Sequence, residues 1–162
     1  MVKLTLQICC NLENLKNLYL PEGAEWYIRT KCSNCQEESE KVYFNLNDKV
    51  EMFGSKGTAN YIAKCKLCER TGSLEYCVNT LKKYSSTDVF ANLATFECRG
   101  LEPFEFFPGD KFVAESTESD EVYGQDVGSD VIDLVDGDWA GYDERGDCAV
   151  GIYEFKSQFV RY

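Results

Sequence analysis

Residues 3–10, Lys-Leu-Thr-Leu-Gln-Ile-Cys-Cys, place Leu4, Leu6 and Ile8 on one face and polar or small side chains on the other. Alternation with a period of two is the mark of a half-buried strand. Short runs of the same kind recur at spacings of roughly ten residues, the cadence of an all-β chain. Trp26-Tyr27-Ile28 opens a second strand, Val42-Tyr43-Phe44 a third, and Ala59 to Ala63 a fourth. Gly72-Ser73 reads as a turn into a strand over Leu74–Val78. Leu93–Cys98, Lys111–Glu115 after the Pro108-Gly109 turn signal, Val131–Val135 and Ala149–Val160 follow as strands. Between them, Asn11 to Gly23 reads as a loop, and so does Asn47 to Gly57, from which Val50, Met52 and Phe53 could dock. Leu81–Asp88 is the link between two halves. Residues 116–130 form an acidic, mobile segment, and Asp138–Glu144 a turn with buried aromatics.

The two halves resemble each other. Cys9-Cys10-Asn11-Leu12-Glu13 lines up with Cys98-Arg99-Gly100-Leu101-Glu102, then Leu20-Pro21-Glu22 with Phe107-Pro108-Gly109, then Trp26-Tyr27-Ile28 with Phe112-Val113-Ala114. This is the pattern of one duplicated β unit. It predicts two similar β lobes, residues 1–90 and 91–162, forming one compact sandwich or barrel-like body.

Two cysteine pairs break this pattern in the first half only. Cys32-Ser33-Asn34-Cys35 is followed, 29 residues later, by Cys65-Lys66-Leu67-Cys68. Two residues between thiols let both sulfurs of a knuckle face one centre, and two knuckles close a tetrahedron around Zn²⁺ with no position left for water. At the place of the first knuckle the second half carries Ser116-Thr117-Glu118-Ser119, without a cysteine. The expected metal set is therefore Cys32, Cys35, Cys65 and Cys68, holding one structural zinc in the N-terminal lobe.

Composition narrows the chemistry. The 162 residues contain nine cysteines and no histidine. An odd thiol count without a leader segment suits a reducing, intracellular setting, the cytoplasm with the nucleus as an alternative. Cys9, Cys10, Cys77, Cys98 and Cys148 then read as small buried hydrophobes. Lack of histidine excludes mixed Cys/His zinc sites and imidazole acid–base catalysis. Residues 1–91 carry a net charge of +1 and residues 92–162 a net of −12. Arg29, Lys31, Lys64, Lys66 and Arg70 stand near the knuckles and could offset the thiolates, but the acidic second half would repel nucleic acid. No apolar run is long enough to cross a membrane as a helix. Asp136, Asp138, Gly141 and Asp147 fall at positions 1, 3, 6 and 12 of a calcium loop. Position 5 is Ala140, however, and position 12 lacks the bidentate glutamate, so the stretch reads as a solvated turn.

The ordered set Lys31-Cys32-Ser33-Asn34-Cys35, Lys64-Cys65-Lys66-Leu67-Cys68, Phe96-Glu97-Cys98-Arg99-Gly100-Leu101-Glu102-Pro103, Asp138-Trp139 with Tyr142-Asp143-Glu144, and Val150-Gly151-Ile152-Tyr153-Glu154 resembles the eukaryotic CXXC-motif-containing zinc-binding protein family. The resemblance spans the chain. It implies an all-β, two-lobed fold with pseudo-two-fold symmetry and Zn²⁺ on Cys32, Cys35, Cys65 and Cys68; it implies no established reaction.

The expected function is that of a non-enzymatic zinc module that binds or adapts a protein partner, with the acidic half presenting the partner surface. Thiol or metal handling through the CxxC pairs is the alternative. A zinc-containing sulfoxide reductase would cast Cys98 as nucleophile, and Cys9 with Cys98 could form a second thiol site. Closed coordination and missing histidine stand against the reductase, and paired core positions are the simpler reading of Cys9 and Cys98.

Overall fold

The computed structural model describes residues 1–51, 57–125 and 130–162. Among them there is no helix. The strands are β1 (Val2–Glu13), β2 (Leu15–Tyr19), β3 (Glu25–Cys32), β4 (Val42–Asn45), β5 (Val50–Glu51), β6 (Thr58–Ala59), β7 (Tyr61–Lys64), β8 (Thr71–Tyr76), β9 (Ala91–Arg99), β10 (Leu101–Phe107), β11 (Val113–Ser116), β12 (Val122–Tyr123), β13 (Trp139–Asp143) and β14 (Cys148–Arg161). The all-β expectation is borne out.

A six-stranded antiparallel sheet, in the order β13-β14-β1-β9-β8-β7, curls into a half-barrel. Two three-stranded sheets, β10-β3-β4 and β12-β11-β2, accompany it, and β5 pairs with β6. The central ladder is β1 against β9, with Thr5 opposite Thr95. Their hydroxyls meet at 2.9 Å, and both residues are buried. Exchanging β1 with β9, β14 with β8 and β13 with β7 leaves the order of the large sheet unchanged. The same exchange carries β10-β3-β4 into β2-β11-β12. Because β8 pairs directly with β9, residues before and after position 90 share one sheet.

The core lies inside the curl. Trp26 packs edge-on against Phe96 at 5.6 Å and beside Phe44 and Phe106. Phe106, Phe112 and Phe155 form a second aromatic group. Leu6, Ile8, Leu18, Ile28, Leu74 and Leu93 fill the space between and are fully buried or nearly so. Alternation along β1 and β3 matches this burial, as an amphipathic strand requires.

Several elements differ from the sequence pattern. β2 occupies a stretch read as a loop, and β10 one to which the pattern assigns no strand. In β2, Asn17 has φ of 53°, so the alternation that marks a strand is broken. In β10, Pro103 is tolerated because that strand lies at a sheet edge, and the register shifts between Pro103 and Glu105. Gly72 and Ser73 belong to β8 rather than to a turn, and Asp138–Glu144 contains β13, on which Tyr142 is 51% exposed. Val131–Val135 is no strand: Ile132 makes a single bridge to Phe112, and both Ile132 and Leu134 are buried. The acidic segment after residue 116 is ordered through β12, with Ser116 and Tyr123 buried. Its residues 126–129, like Met52 and Phe53 of the earlier loop, lie outside the described residues.

Candidate metal centre

The first knuckle begins on the last residue of β3, and the second is the turn between β7 and β8. Each is closed by backbone. The Cys32 amide donates to the Glu37 carbonyl at 2.9 Å and the Gln36 amide to the Cys32 carbonyl at 2.9 Å. In the second, Cys65 N donates to Arg70 O at 2.9 Å and Glu69 N to Cys65 O at 3.0 Å. Gln36 and Glu69, each directly after the second cysteine, take φ of 67° and 64°. These left-handed residues turn the chain back, so that both sulfurs of a knuckle face inward.

The four cysteines converge. Cys32 Sγ lies 3.6 Å from Cys68 Sγ, and Cys35 Sγ lies 3.5 Å from Cys65 Sγ. All four sulfurs fall within 4.8 Å of one another. A tetrahedron with Zn–S bonds of about 2.3 Å has sulfur–sulfur edges of about 3.8 Å, so the sulfurs stand at the corners such an ion needs. Among the described residues this is the one group of three or more metal-ligating side chains that close together.

Amide hydrogen bonds prepare the thiolates. The Arg70 amide, helped by the Asn34 side chain, lowers the Cys68 thiol to about 6 in the metal-free protein. The Cys68 and Leu67 amides lower Cys65. Cys35 also receives the Glu37 amide, which pulls it down, yet burial and sharing of protons with the other three sulfurs push it up to about 12. Four thiols crowded together cannot all ionise without a cation, and a divalent metal is the group that resolves this. Sequence reasoning named the sulfurs and missed these amides. Their signal is the position two residues after a knuckle cysteine, visible in Glu37 and Arg70.

The neighbouring cations fall into two sets. Arg29 pairs with Glu105 at 3.1 Å and lies over the Phe104 ring, and Lys31 lies over the same ring. Lys64, Lys66 and Arg70 line a cleft of about 390 Å³ together with Cys32 and Cys65 of the centre. Glu37, Glu38, Glu40, Thr30, Gly72 and Leu101 also line it. Strand β7, on one side of the cleft, is the last strand of the large sheet.

A family model described as "CXXC motif containing zinc binding protein, eukaryotic" matches residues 5–160. The chain belongs to that family. Members from Bos taurus and Homo sapiens, each named CXXC motif containing zinc binding protein, are 43% and 42% identical, with 99% of both chains aligned. A crystal structure of C1orf123 superposes with a TM-score of 0.89 at 40% identity over 99% of both chains. A hypothetical protein from Plasmodium falciparum gives 0.85 at 27% identity, over 99% of this chain and 100% of the other.

The remaining thiols do not assemble. Cys9 stands opposite Lys156 and Cys98 opposite Val2, so the structure does not bring those two together. Burial pushes Cys98 up to about 12, as it does Cys10. Of the calcium-loop positions, Asp138 accepts the Glu154 amide at 2.8 Å and Asp147 the Tyr142 hydroxyl at 2.5 Å. Neither belongs to a metal-ligating group.

Proposed function

We propose that this family member is a non-enzymatic binding module, in which one Zn²⁺ on Cys32, Cys35, Cys65 and Cys68 holds the recognition cleft in shape. The observation that carries this is where the knuckles sit. One ends β3 of a three-stranded sheet, the other joins β7 to β8 of the six-stranded sheet, and the two sheets share no ladder. Arg99-Gly100-Leu101 joins β9 to β10 here and the Ser33 amide bonds the Gly100 carbonyl, and zinc adds a second tie between the sheets at this end. A closed Cys₄ site contributes on the order of 10–16 kcal/mol of apparent binding free energy, which is folding free energy where the metal-free site is disordered. Four thiolates occupy every position of such an ion and leave none for substrate.

The partner is a protein, and the cleft receives an extended segment of it along β7, the edge strand of the large sheet among the described residues, by strand addition. Both acidic and basic side chains line the cleft, so the segment has both signs of charge. Neither membrane nor nucleic acid is a partner in this reading, and the setting is intracellular, where nine thiols remain reduced. A photo-crosslinker at Tyr61 tests it. Adducts with a partner should form from position 61, cease on zinc removal, and be absent from a probe at Tyr162. Equal capture from both positions contradicts the reading.

Metal handling is the second reading. Cys35, Cys65 and Cys68 are half-exposed, and Cys68 has the lowered thiol, so an acceptor could reach three of the four sulfurs. Fast zinc exchange with a small chelator, without loss of fold, would favour it.

A further inference from the structure

The second half holds a cluster that occupies the place of the metal centre. Asp143, fully buried, ends β13, and its carboxylate accepts four hydrogen bonds. Ser116 Oγ and Ser119 Oγ each donate to Oδ2 at 2.6 Å, and the Arg145 and Gly146 amides donate to Oδ1 at 3.1 and 3.0 Å.

The surrounding backbone repeats several features of the cysteine site. Cys32 N donates to Glu37 O, and Ser116 N donates to Glu121 O. Ser33 N donates to Gly100 O, and Thr117 N to Asn14 O; Gly100 and Asn14 both have left-handed φ. Cys65 N bonds Arg70 O five residues on, and Asp143 pairs with Cys148 five residues on. Glu69 follows Cys68 with φ of 64°, and Asp147 follows Gly146 with φ of 53°. Thus Cys32, Cys35, Cys65 and Cys68 correspond to Ser116, Ser119, Asp143 and Gly146. The fourth corner points inward too: a Cβ built on Gly146 would lie 2.6 Å from Asp143 Oδ2. The sheets joined are also equivalent, β11 of a three-stranded sheet to β13 of the large one.

We infer that the Asp143 cluster is the metal-free twin of the cysteine centre, a hydrogen-bonded clasp that ties the other three-stranded sheet to the opposite edge of the large sheet, and that its four corners form a second metal site when they carry cysteine. This rests on zinc being held by the first four cysteines. As it stands, the clasp has two hydroxyls and one carboxylate and no side chain at the fourth corner, so the chain holds one zinc and not two. One end of the fold therefore answers to metal supply and the other does not.

The test is the full chain carrying S116C, S119C, D143C and G146C, compared with wild type for zinc per chain and for the Co²⁺–thiolate absorption. Wild type should hold one zinc and the variant two, with the cobalt absorption doubled. Wild type without zinc sinks the underlying reading; a folded variant that still holds one sinks the twin. Should the variant not fold, Asp143→Asn decides by hydrogen exchange. Amides 116–121 and 143–148 should exchange about tenfold faster or more, with zinc content unchanged and amides 32–37 and 65–70 still protected. Unchanged exchange at 116–121 overturns the inference.

Discussion

Gly72 offers the sharpest test of packing beside the centre. It sits in β8 opposite Ala63, with its φ outside the left-handed region. Alanine is therefore compatible with its backbone, and replacing glycine would by itself stabilise by about 0.4–1 kcal/mol through the unfolded chain. The neighbours reverse the sign. A Cβ at Gly72 would lie 2.9 Å from both Cγ and Cδ2 of Leu101 and 3.0 Å from the Gly100 carbonyl carbon. Carbon atoms pack at about 3.5–4.0 Å, so both side chain and backbone must give way. Overpacking of this kind costs about 1–3 kcal/mol, leaving a net loss of about 1–2 kcal/mol for Gly72→Ala. For a chain of this length that is a fall in Tm of about 2–8 °C, measured by thermal denaturation of the zinc-loaded protein. Leu101→Ala alone should cost about 2–5 kcal/mol, because Leu101 is buried. The double variant should be less destabilised than the sum by about 1 kcal/mol or more, since the second change removes the clash. A Gly72→Ala protein as stable as wild type, or strict additivity, would refute the steric argument.

Further outcomes follow from buried polar and thiol groups. Four donors hold the Asp143 carboxyl down at about 2, from the 3.8 of the free group, the Ser116 hydroxyl contributing most. Its contribution is thus full above pH 4 and lost as the pH falls from about 4 to about 2; Asp143→Asn should flatten the acid limb of the stability profile there, and an unaltered limb would count against it. Thr5→Val leaves the buried Thr95 hydroxyl without its cross-strand partner, at about 1–3 kcal/mol, whereas Thr5→Val with Thr95→Val should be nearly neutral; denaturant titration distinguishes this from simple additivity. Cys10 and Cys98, both 1% exposed, should resist a thiol reagent at pH 8 in the folded protein and react once it is unfolded. Rapid labelling of Cys98 in the native state would reopen a nucleophilic role for it.

The metal centre was legible because each knuckle is local. Two residues between cysteines constrain sulfur direction without knowledge of the fold, and only the meeting of Cys32 with Cys68 and Cys35 with Cys65 needed tertiary structure. β3, whose alternation is unbroken, and β1, where Leu4, Leu6 and Ile8 share one face, were legible for the same reason. β2 was not, because a left-handed Asn17 shifts the phase of its buried residues. β13 was hidden by its aspartate and glycine, since Asp143 is a buried acceptor and the usual reading of such a residue is a solvated turn. The clasp left a trace in Ser116-Thr117-Glu118-Ser119 at the knuckle position, but Asp143 lies 24 residues beyond Ser119 and carries no motif of its own. The cleft was out of reach for a different reason. Its walls come from two sheets, and no periodicity records how sheets face each other.

Hydrogen exchange of the full chain before and after complete zinc removal, with metal content measured alongside, tests most directly whether zinc ties the two sheets. One zinc per chain should be found. Its removal should strip protection from β3, β4, β7 and β8, with β11, β13 and β14 still protected by the Asp143 clasp. Unchanged protection around Cys32 and Cys65 after the zinc has gone, or equal loss at both ends of the molecule, would contradict it.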